Sequence, residues 1–280
     1  MSHDHPIDSY FEGQYNNQKR VPQFPQWVAQ WREQSALQKD IVDCQLDLVY
    51  GHGPREHYDF YACGNTNAPL LIYLHGGYWQ SGNKSLYGFL TPGPIDAGFN
   101  VAIPNYDLCP TVALEDITPQ LVRALVYIRS QAGILGFDAD RIYLCGHSAG
   151  GHLTAMLMAQ AVAKLYPHNS ASYICAGIAI SGLFELSDLI PTSINTALGL
   201  DEQRVTALSP LRMKPALACP LLACVGEEEG LEFHNQARNI SQAWSPSGQY
   251  LEIPASHHFS ILESLANPQG LLCRRLREMN

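Results

Sequence analysis

Ser148 lies in the segment IYLCGHSAGGH (142–152), where the residue types around it suggest a nucleophile. Gly146 and Gly150 flank it at the G-x-S-x-G spacing. This spacing is typical of a sharp turn from a strand into a helix, because a strained serine backbone needs neighbours without a Cβ. Strand-like residues precede the serine and helix-forming residues follow it. We therefore predict that Ser148 faces a pocket and that the backbone N–H of Ala149, at the helix N-terminus, points toward any oxygen bound there.

A second glycine pair ends the apolar run LIYLHGGYW (71–79). Gly76 and Gly77 allow the backbone to come close to a substrate oxygen, as the loop that completes an oxyanion hole requires. We predict that the N–H groups of Gly77 and Tyr78 are its donors.

Other side chains near this loop have more than one interpretation. His75 is expected to brace the loop rather than to perform chemistry. Trp79 is either a core aromatic or one wall of an acyl or aryl pocket. Tyr106, which follows another apolar run, is a second candidate for substrate contact.

A serine hydroxyl is a weak nucleophile unless a base accepts its proton, and the base in turn needs an acid to orient it. The segment YLEIPASHHFSILESL (250–265) offers His257 and His258 after an apolar run. Adjacent side chains point in different directions, so at most one of them reaches Ser148. The remaining histidines are given no catalytic role: His3, His5, His52, His57, His147, His152, His168 and His234.

The acid is expected after the preceding strand, where LLACVGEEEGLEF presents three adjacent glutamates, 227–229. Such a row usually forms a solvated turn. The Gly-x-x-acid spacing from Gly226 favours Glu229 as the orienting carboxylate. The resulting order of serine, acid and histidine along the chain differs from the orders found in chymotrypsin-like and subtilisin-like proteins.

These residues require a framework of strands whose ends meet. Alternating or continuous apolar runs predict about eight strands, and continuous runs are typical of a parallel sheet covered on both faces. The predicted strands are 45–51, 57–63, 69–75, 100–106, 141–146, 173–182, 219–226 and 249–254. The first two are expected to form an antiparallel hairpin, and helices are predicted at 117–132, 149–165 and, as a charged surface helix, 274–280.

The sequence therefore predicts one α/β domain over 1–280, with a mostly parallel sheet and helices on both faces. Residues 1–40 form an N-terminal extension. Residues 183–215 interrupt the alternation of strands and helices with prolines and broken helical pieces, and we interpret them as a small cap over the carboxyl edge of the sheet. A plain surface excursion is the alternative.

Composition limits the partners. With 46% hydrophobic and 15% charged residues, the chain can bury a large core, and its net charge of −9 argues against nucleic acid or an anionic membrane. No secretory signal or membrane span is recognised, and the eight scattered cysteines suggest free thiols in a cytoplasmic protein. We expect a small-molecule substrate and no metal or cofactor; a homodimer is compatible with the sequence, which does not decide the oligomeric state.

With these motifs in place, the chain resembles the kynurenine formamidase (arylformamidase) branch of the α/β-hydrolase superfamily. The resemblance spans nearly the whole chain. It is carried by QYNNQKRVP (14–22), HGGYW (75–79), GHSAGGHL (146–153), VGEEEGLEF (225–233) and HHFSILESL (257–265).

The resemblance implies a role for each member of a catalytic triad. The family's catalytic histidine directly precedes a phenylalanine, which makes His258, before Phe259, the base for Ser148. Its acid lies three residues after a glycine, here Glu229, although the family normally has aspartate. His257 likewise stands where the family often has aspartate. The implied reaction is the hydrolysis of N-formylkynurenine to kynurenine and formate without a metal or cofactor.

Two other functions remain open at this point. A carboxylesterase acting on small-molecule esters would use the same residues, since pocket geometry alone separates an ester from a formamide. A non-catalytic binding protein with this fold is the third candidate, and the intact set of serine, histidine and acid argues against it.

Overall fold

The computed structural model of the protein describes residues 6–159 and 173–280. His3, His5 and His168 lie outside these ranges, as does the part of the predicted helix from 160 to 165.

All eight predicted strands are confirmed, and they form one sheet. The strands are β1 (Cys44–Val49), β2 (His57–Tyr61), β3 (Ala68–Leu74), β4 (Asn100–Pro104), β5 (Phe137–His147), β6 (Ile174–Ile180), β7 (Leu221–Gly226) and β8 (Gly248–Ile253). Their spatial order is β1-β2-β4-β3-β5-β6-β7-β8. Strand β2 runs antiparallel to β1 and β4, and every other neighbouring pair is parallel. The predicted mostly parallel sheet of an α/β-hydrolase fold is therefore correct.

The continuous apolar runs are explained by a core on each face of the sheet. In β3, Leu70, Ile72 and Leu74 belong to one buried cluster. Leu71 and Tyr73, which alternate with them, belong to a cluster on the other face. Successive side chains of a strand point to opposite faces, so both must be apolar where both are covered.

Helices cover both faces. They are α1 (Ser9–Tyr15), α2 (Asn17–Arg20), α3 (Phe24–Ile41), α4 (Pro92–Asp96), α5 (Leu114–Ser130), α6 (Ala132–Leu135), α7 (Ala149–Met158), α8 (Asn195–Leu198), α9 (Glu202–Leu208), α10 (Leu231–Ala243), α11 (Glu263–Ala266) and α12 (Leu271–Glu278). Short 3-10 turns lie at Lys84–Leu86, Gly88–Leu90, Ser187–Leu189, Pro210–Arg212 and Ser260–Leu262. Within the described ranges, no helix is long and apolar enough to cross a membrane.

Two terminal segments are more buried than the sequence indicated. The C-terminal helix α12 is charged on one side, but Leu272, Cys273 and Leu276 on its other side join the core. In the N-terminal extension, Trp31 of α3 is only 4% exposed and stacks on Phe89 with ring centroids 5.3 Å apart. Both segments therefore contribute to the hydrophobic core.

The strand order brings the predicted site residues to one edge of the sheet. The carboxyl ends of parallel strands meet at the same edge, where ligands bind in open α/β sheets. Strands β3, β5, β7 and β8 end there, and the segments with the glycine pair, Ser148, the three glutamates and the paired histidines follow them directly.

Candidate active site

Ser148 occupies a strained turn between β5 and α7. Its φ of 56° is in the left-handed region that residues with a Cβ rarely adopt. The two motif glycines make the turn possible because neither position has room for a side chain. A Cβ on Gly146 would lie 2.1 Å from the carbonyl oxygen of Gly150, and a Cβ on Gly150 would lie 1.9 Å from the carbonyl oxygen of Leu74. Strand, turn and helix thus pack closely, and Ser148 is left at the edge of the sheet.

His258 and Glu229 are in direct contact. The distance between Nδ1 of His258 and Oε2 of Glu229 is 2.6 Å, and both side chains are buried. The other carboxylate oxygen, Oε1, accepts hydrogen bonds from the hydroxyl of Ser181 at 2.5 Å and from the backbone N–H of Gly226 at 2.8 Å. These bonds hold the glutamate carboxylate against the imidazole. The family that the sequence resembles normally has an aspartate at this position.

The neighbouring glutamates and the second histidine lie elsewhere. Glu227 and Glu228 are exposed, and a carboxylate oxygen of Glu227 accepts from the backbone N–H of Ala255. The imidazole of His257 packs edge-on against Trp27, with ring centroids 5.3 Å apart. Of the three glutamates and two histidines, only Glu229 and His258 are paired at the sheet edge.

The glycine loop after β3 is held in an unusual backbone conformation. Gly77, Tyr78 and Trp79 all have positive φ, at 117°, 51° and 57°. The carbonyl oxygen of Gly77 accepts from the N–H groups of Gln80 and Ser81, which closes the turn. The Tyr78 hydroxyl donates to the backbone carbonyl of Tyr15 at 2.5 Å. These contacts hold residues with a Cβ in a conformation that would otherwise be unfavourable.

The proposed oxyanion donors have no competing acceptor. Among the described residues, the backbone N–H groups of Gly77, Tyr78 and Ala149 donate to no protein oxygen. Gly77 and Tyr78 line a cavity of about 490 Å³. Ala149 is the first residue of α7 and follows Ser148, so its N–H has no partner within the helix.

Trp79 and Tyr106, predicted as substrate contacts, lie behind this cavity rather than on its wall. Trp79 is completely buried in the main core and packs edge-on against His152 at 4.9 Å. Tyr106 is also fully buried, and its hydroxyl donates to the backbone carbonyl of His75 at 2.7 Å. The substrate-contact assignment of both residues is corrected. Trp79 is the core aromatic that the sequence left as the alternative, and the Tyr106 hydroxyl holds the backbone at the start of the glycine loop.

Three histidines near the site are buried and uncharged. His75 stacks on Tyr106 with ring centroids 4.3 Å apart, and burial lowers its pKa to about 4. Its position under the loop agrees with the bracing role expected from the sequence. Burial also lowers the pKa of His152 to about 4, where Nε2 donates to the carbonyl oxygen of Leu208 at 2.8 Å.

His147 is the third of these histidines and was missed as a site residue. Burial, and then the electrostatic interaction with nearby His258, hold its pKa well below the usual value. Its Nε2 donates to the backbone carbonyl of His258 at 2.7 Å. His147 therefore ties the loop that carries His258 to the end of β5, next to Ser148. The sequence signal for this role was the histidine adjacent to the serine in the motif.

Ser148 and His258 line the same cavity, together with Gly76 and His147. Much of its wall comes from the N-terminal segment, which sequence reasoning did not assign to the site, and part of it comes from the segment interpreted above as a cap. The N-terminal segment contributes Asn16, Asn17, Gln18, Phe24, Val28 and Trp31, and the segment 183–215 contributes Ser193 and Ile194. The only sequence signal for the first group was the resemblance of residues 14–22 to the formamidase branch.

The two segments that enclose the cavity are bonded to each other. Glu12 of α1 accepts hydrogen bonds from the backbone N–H and the hydroxyl of Ser193, both at distances near 3.0 Å. Burial opposes ionisation of Glu12, but hydrogen bonds from Lys19, Asn16 and Ser193 outweigh it and lower the pKa to about 2.

No group of three or more His, Cys, Asp or Glu side chains suited to holding a metal occurs in residues 6–159 and 173–280. The arrangement places a hydroxyl and an imidazole on the wall of one cavity. A carboxylate lies behind the imidazole, and backbone N–H groups without an acceptor lie nearby. This set is suited to acyl transfer.

Similarity to known proteins extends over most of the chain. A family model described as BD-FAE matches residues 59–204, just over half of the chain. A kynurenine formamidase of Salmo salar is 28% identical over 263 residues, which cover 90% of this chain and 87% of that protein. An isoprenylcysteine alpha-carbonyl methylesterase of Arabidopsis thaliana is 27% identical over 157 residues, covering 54% of this chain and 37% of that protein.

This chain also resembles a solved structure over nearly its whole length. That structure comes from Silicibacter sp. TM1040 and is described as a candidate thioesterase. It is 29% identical in sequence and superimposes with a TM-score of 0.85, covering 94% of this chain and 97% of that one.

Proposed function

Because the chain belongs to the BD-FAE family and to the kynurenine formamidase-like branch of the α/β-hydrolases, we propose that it hydrolyses N-formylkynurenine to kynurenine and formate. At the coarser level the protein is a hydrolase of formamide or ester substrates. One observation supports the finer proposal that the substrate is an N-formyl aryl amide cleaved through Ser148, His258 and Glu229. The imidazole paired with Glu229 lines the same cavity as the strained serine.

In the acylation step, Nε2 of His258 removes the proton of the Ser148 hydroxyl as its oxygen attacks the formyl carbon. A carboxylate can only accept hydrogen bonds, so Glu229 keeps the His258 proton on Nδ1 and leaves Nε2 free as the base. The carboxylate also stabilises the imidazolium that forms. Collapse of the tetrahedral intermediate breaks the C–N bond, and His258 returns the proton to the leaving aniline nitrogen.

The negative oxygen of the tetrahedral intermediate is bound by backbone N–H groups of Gly77, Tyr78 and Ala149. These groups have no acceptor among the described residues, so they are available to the oxyanion without breaking an existing bond. Donors fixed in advance cost no reorganisation during the reaction, and removing one such donor in other enzymes slows the reaction by about 100- to 1000-fold.

In the deacylation step, water attacks the formyl ester on Ser148. His258 now takes a proton from the water and returns it to the serine oxygen, which releases formate and restores the enzyme. No metal or cofactor is required in this scheme, because the protein supplies the base, the nucleophile and the oxyanion donors.

The lining of the cavity favours an aromatic substrate. Phe24, Trp31, Tyr87 and Phe259 all line it, and aromatic walls bind a planar ring through stacked or edge-on contacts. We propose that residues 1–280 form one domain, in which the N-terminal extension and the cap at 183–215 together enclose this substrate.

A carboxylesterase is the second candidate, favoured by the similarity to the Arabidopsis methylesterase over about half of the chain. An ester would use the same residues, and its alkoxide leaving group needs less assistance from His258 than an aniline nitrogen. The two candidates therefore differ in the leaving group that the cavity accepts.

The deciding experiment compares kcat/KM for N-formylkynurenine and for p-nitrophenyl acetate on the same preparation, with the Ser148→Ala protein as the blank. We expect a preference for the formamide of at least about 100-fold, the size that selective binding of a polar substrate group can supply. Equal values, or a preference for the ester, would favour the carboxylesterase instead.

A further inference from the structure

Asn17 carries a buried hydrogen-bond donor that the protein does not use. It is the first residue of α2 and is only 4% exposed. Its side-chain Nδ2 is buried and has no hydrogen-bond partner among the residues that the structure describes. A buried amide without a partner is costly, so such a group in a native structure calls for an explanation. The preceding Asn16 is different, because its side chain caps α2 and donates to Glu12.

The position of Asn17 suggests what its partner is. Asn17 and His258 both line the cavity that Ser148 lines, and both also line a smaller cavity of about 180 Å³. The two side chains therefore lie on the same part of the wall. In the proposed reaction His258 protonates the leaving nitrogen, so a substrate group at Asn17 belongs to the leaving aryl amine rather than to the formyl group.

The surroundings indicate an aromatic leaving group. Of the described residues that line the cavity with Ser148, none is Lys, Arg, Asp or Glu, and Phe24, Trp31, Tyr87 and Phe259 are among them. Nε1 of Trp31 is another buried donor on this wall without a partner in the described part of the chain. Unused N–H donors among aromatic rings are complementary to an oxygen acceptor attached to an aromatic ring.

We propose that Asn17 is a specificity-determining residue that donates from its side-chain amide to a carbonyl oxygen borne by the leaving aryl amine, next to the scissile C–N bond. This inference rests on the proposed function. It adds the residue that recognises the carbonyl group which N-formylkynurenine carries ortho to its formamide. The N-terminal extension then takes part in substrate selection as well as in the fold.

The test uses two substrates that differ only in this carbonyl group, N-(2-acetylphenyl)formamide and formanilide. Asn17→Leu removes the amide at similar volume, and Gln26→Leu removes an exposed amide of the same N-terminal extension as a matched control. We expect Asn17→Leu to lower kcat/KM for the acetyl substrate by about tenfold or more and for formanilide by less than about threefold, because only the first substrate loses a hydrogen bond. Gln26→Leu should change neither value.

A structural role for Asn17 gives a different result. If Asn17 only supports the fold, Asn17→Leu lowers both kcat/KM values by the same factor, and that outcome overturns the inference, as does the absence of any change. Asn17→Ala provides a second variant where leucine disturbs folding, with thermal unfolding as the check, and the same selective loss is expected.

Assays of the wild-type protein distinguish a failure of this inference from a failure of the proposed function. Hydrolysis of both formamides by the wild type, with equal effects of the Asn17 variants, would overturn only the role of Asn17. Absence of formamide hydrolysis by the wild type would overturn the proposed function and the inference together.

Discussion

The imidazole of His258 and the carboxylate of Glu229 meet at 2.6 Å at the edge of the sheet, and both groups are buried. Twenty-nine positions separate them in the chain. The contact forms because β7 and β8 are parallel neighbours, so the loops that follow them leave the sheet side by side. Ser181, which follows β6, reaches the same carboxylate from the other side.

This contact predicts that the three adjacent glutamates differ sharply in importance. Glu229→Gln should lower kcat by about 10³- to 10⁴-fold, because an amide no longer holds the His258 proton on Nδ1 or stabilises the imidazolium. Glu227→Gln and Glu228→Gln should change kcat by less than about twofold, since both side chains are exposed. Steady-state kinetics with p-nitrophenyl acetate measures this. A large loss of kcat in either control variant would indicate that the orienting acid is at that position instead.

Ser148→Ala should reduce kcat by at least about 10⁴-fold while the protein remains folded. Serine and alanine both carry a Cβ, so the strain at a φ of 56° is unchanged and the melting temperature should be close to that of the wild type. Kinetics and thermal unfolding of the same preparation separate the two effects. Retention of most of the activity by a folded Ser148→Ala protein would exclude the serine mechanism.

Gly150→Ala should destabilise the protein severely, by several kcal/mol. The new Cβ would lie 1.9 Å from the carbonyl oxygen of Leu74, and a backbone atom of a central strand cannot move aside. The matched control is Gly133→Ala in the short helix α6, where a Cβ has nothing within 4 Å. That change should be neutral or stabilise by up to about 1 kcal/mol, because alanine favours a helix. Urea unfolding of both variants tests this, and equal effects would contradict the packing argument.

Acid should destabilise the fold in two pH ranges. The pKa values of His75 and His152 fall from 6.5 to about 4 on folding, so between these pH values the unfolded chain binds protons that the folded chain does not. Stability is therefore complete above pH 6.5 and decreases as the pH falls to 4, by on the order of 3 kcal/mol for each histidine.

The second range belongs to two hydrogen-bonded carboxylates. Glu12 and Glu56 have pKa values of about 2 in the folded protein against 4.5 for the free group, so their contribution is present above pH 4.5 and decreases as the pH falls toward 2. Melting temperatures measured from pH 8 to pH 3 test both ranges. A melting temperature that stays constant between pH 6.5 and 4.5 would show that the buried histidines do not control acid stability.

Much of the framework could be predicted from the sequence by itself. Strand positions are encoded locally, because a strand covered on both faces must be apolar at every position, and five of the eight predicted strands are continuous apolar runs. The turn at Ser148 is encoded by the spacing of its glycines. Gly146 is required by contact with Gly150, four residues on, whereas Gly150 is required by contact with Leu74 of the adjacent strand. The order of the motifs along the chain then predicted that serine, acid and histidine would meet at one edge.

The tertiary structure decided which side chains face the cavity. Trp79 and Tyr106 are aromatic residues close to the glycine loop in sequence, yet both pack under it and not on the cavity wall. Asn17 and Trp31 are far in the chain from Ser148, Glu229 and His258, yet they form part of that wall. The physical reason is that a strand or turn is determined by neighbouring residues, whereas the direction of a buried side chain depends on packing among segments distant in sequence.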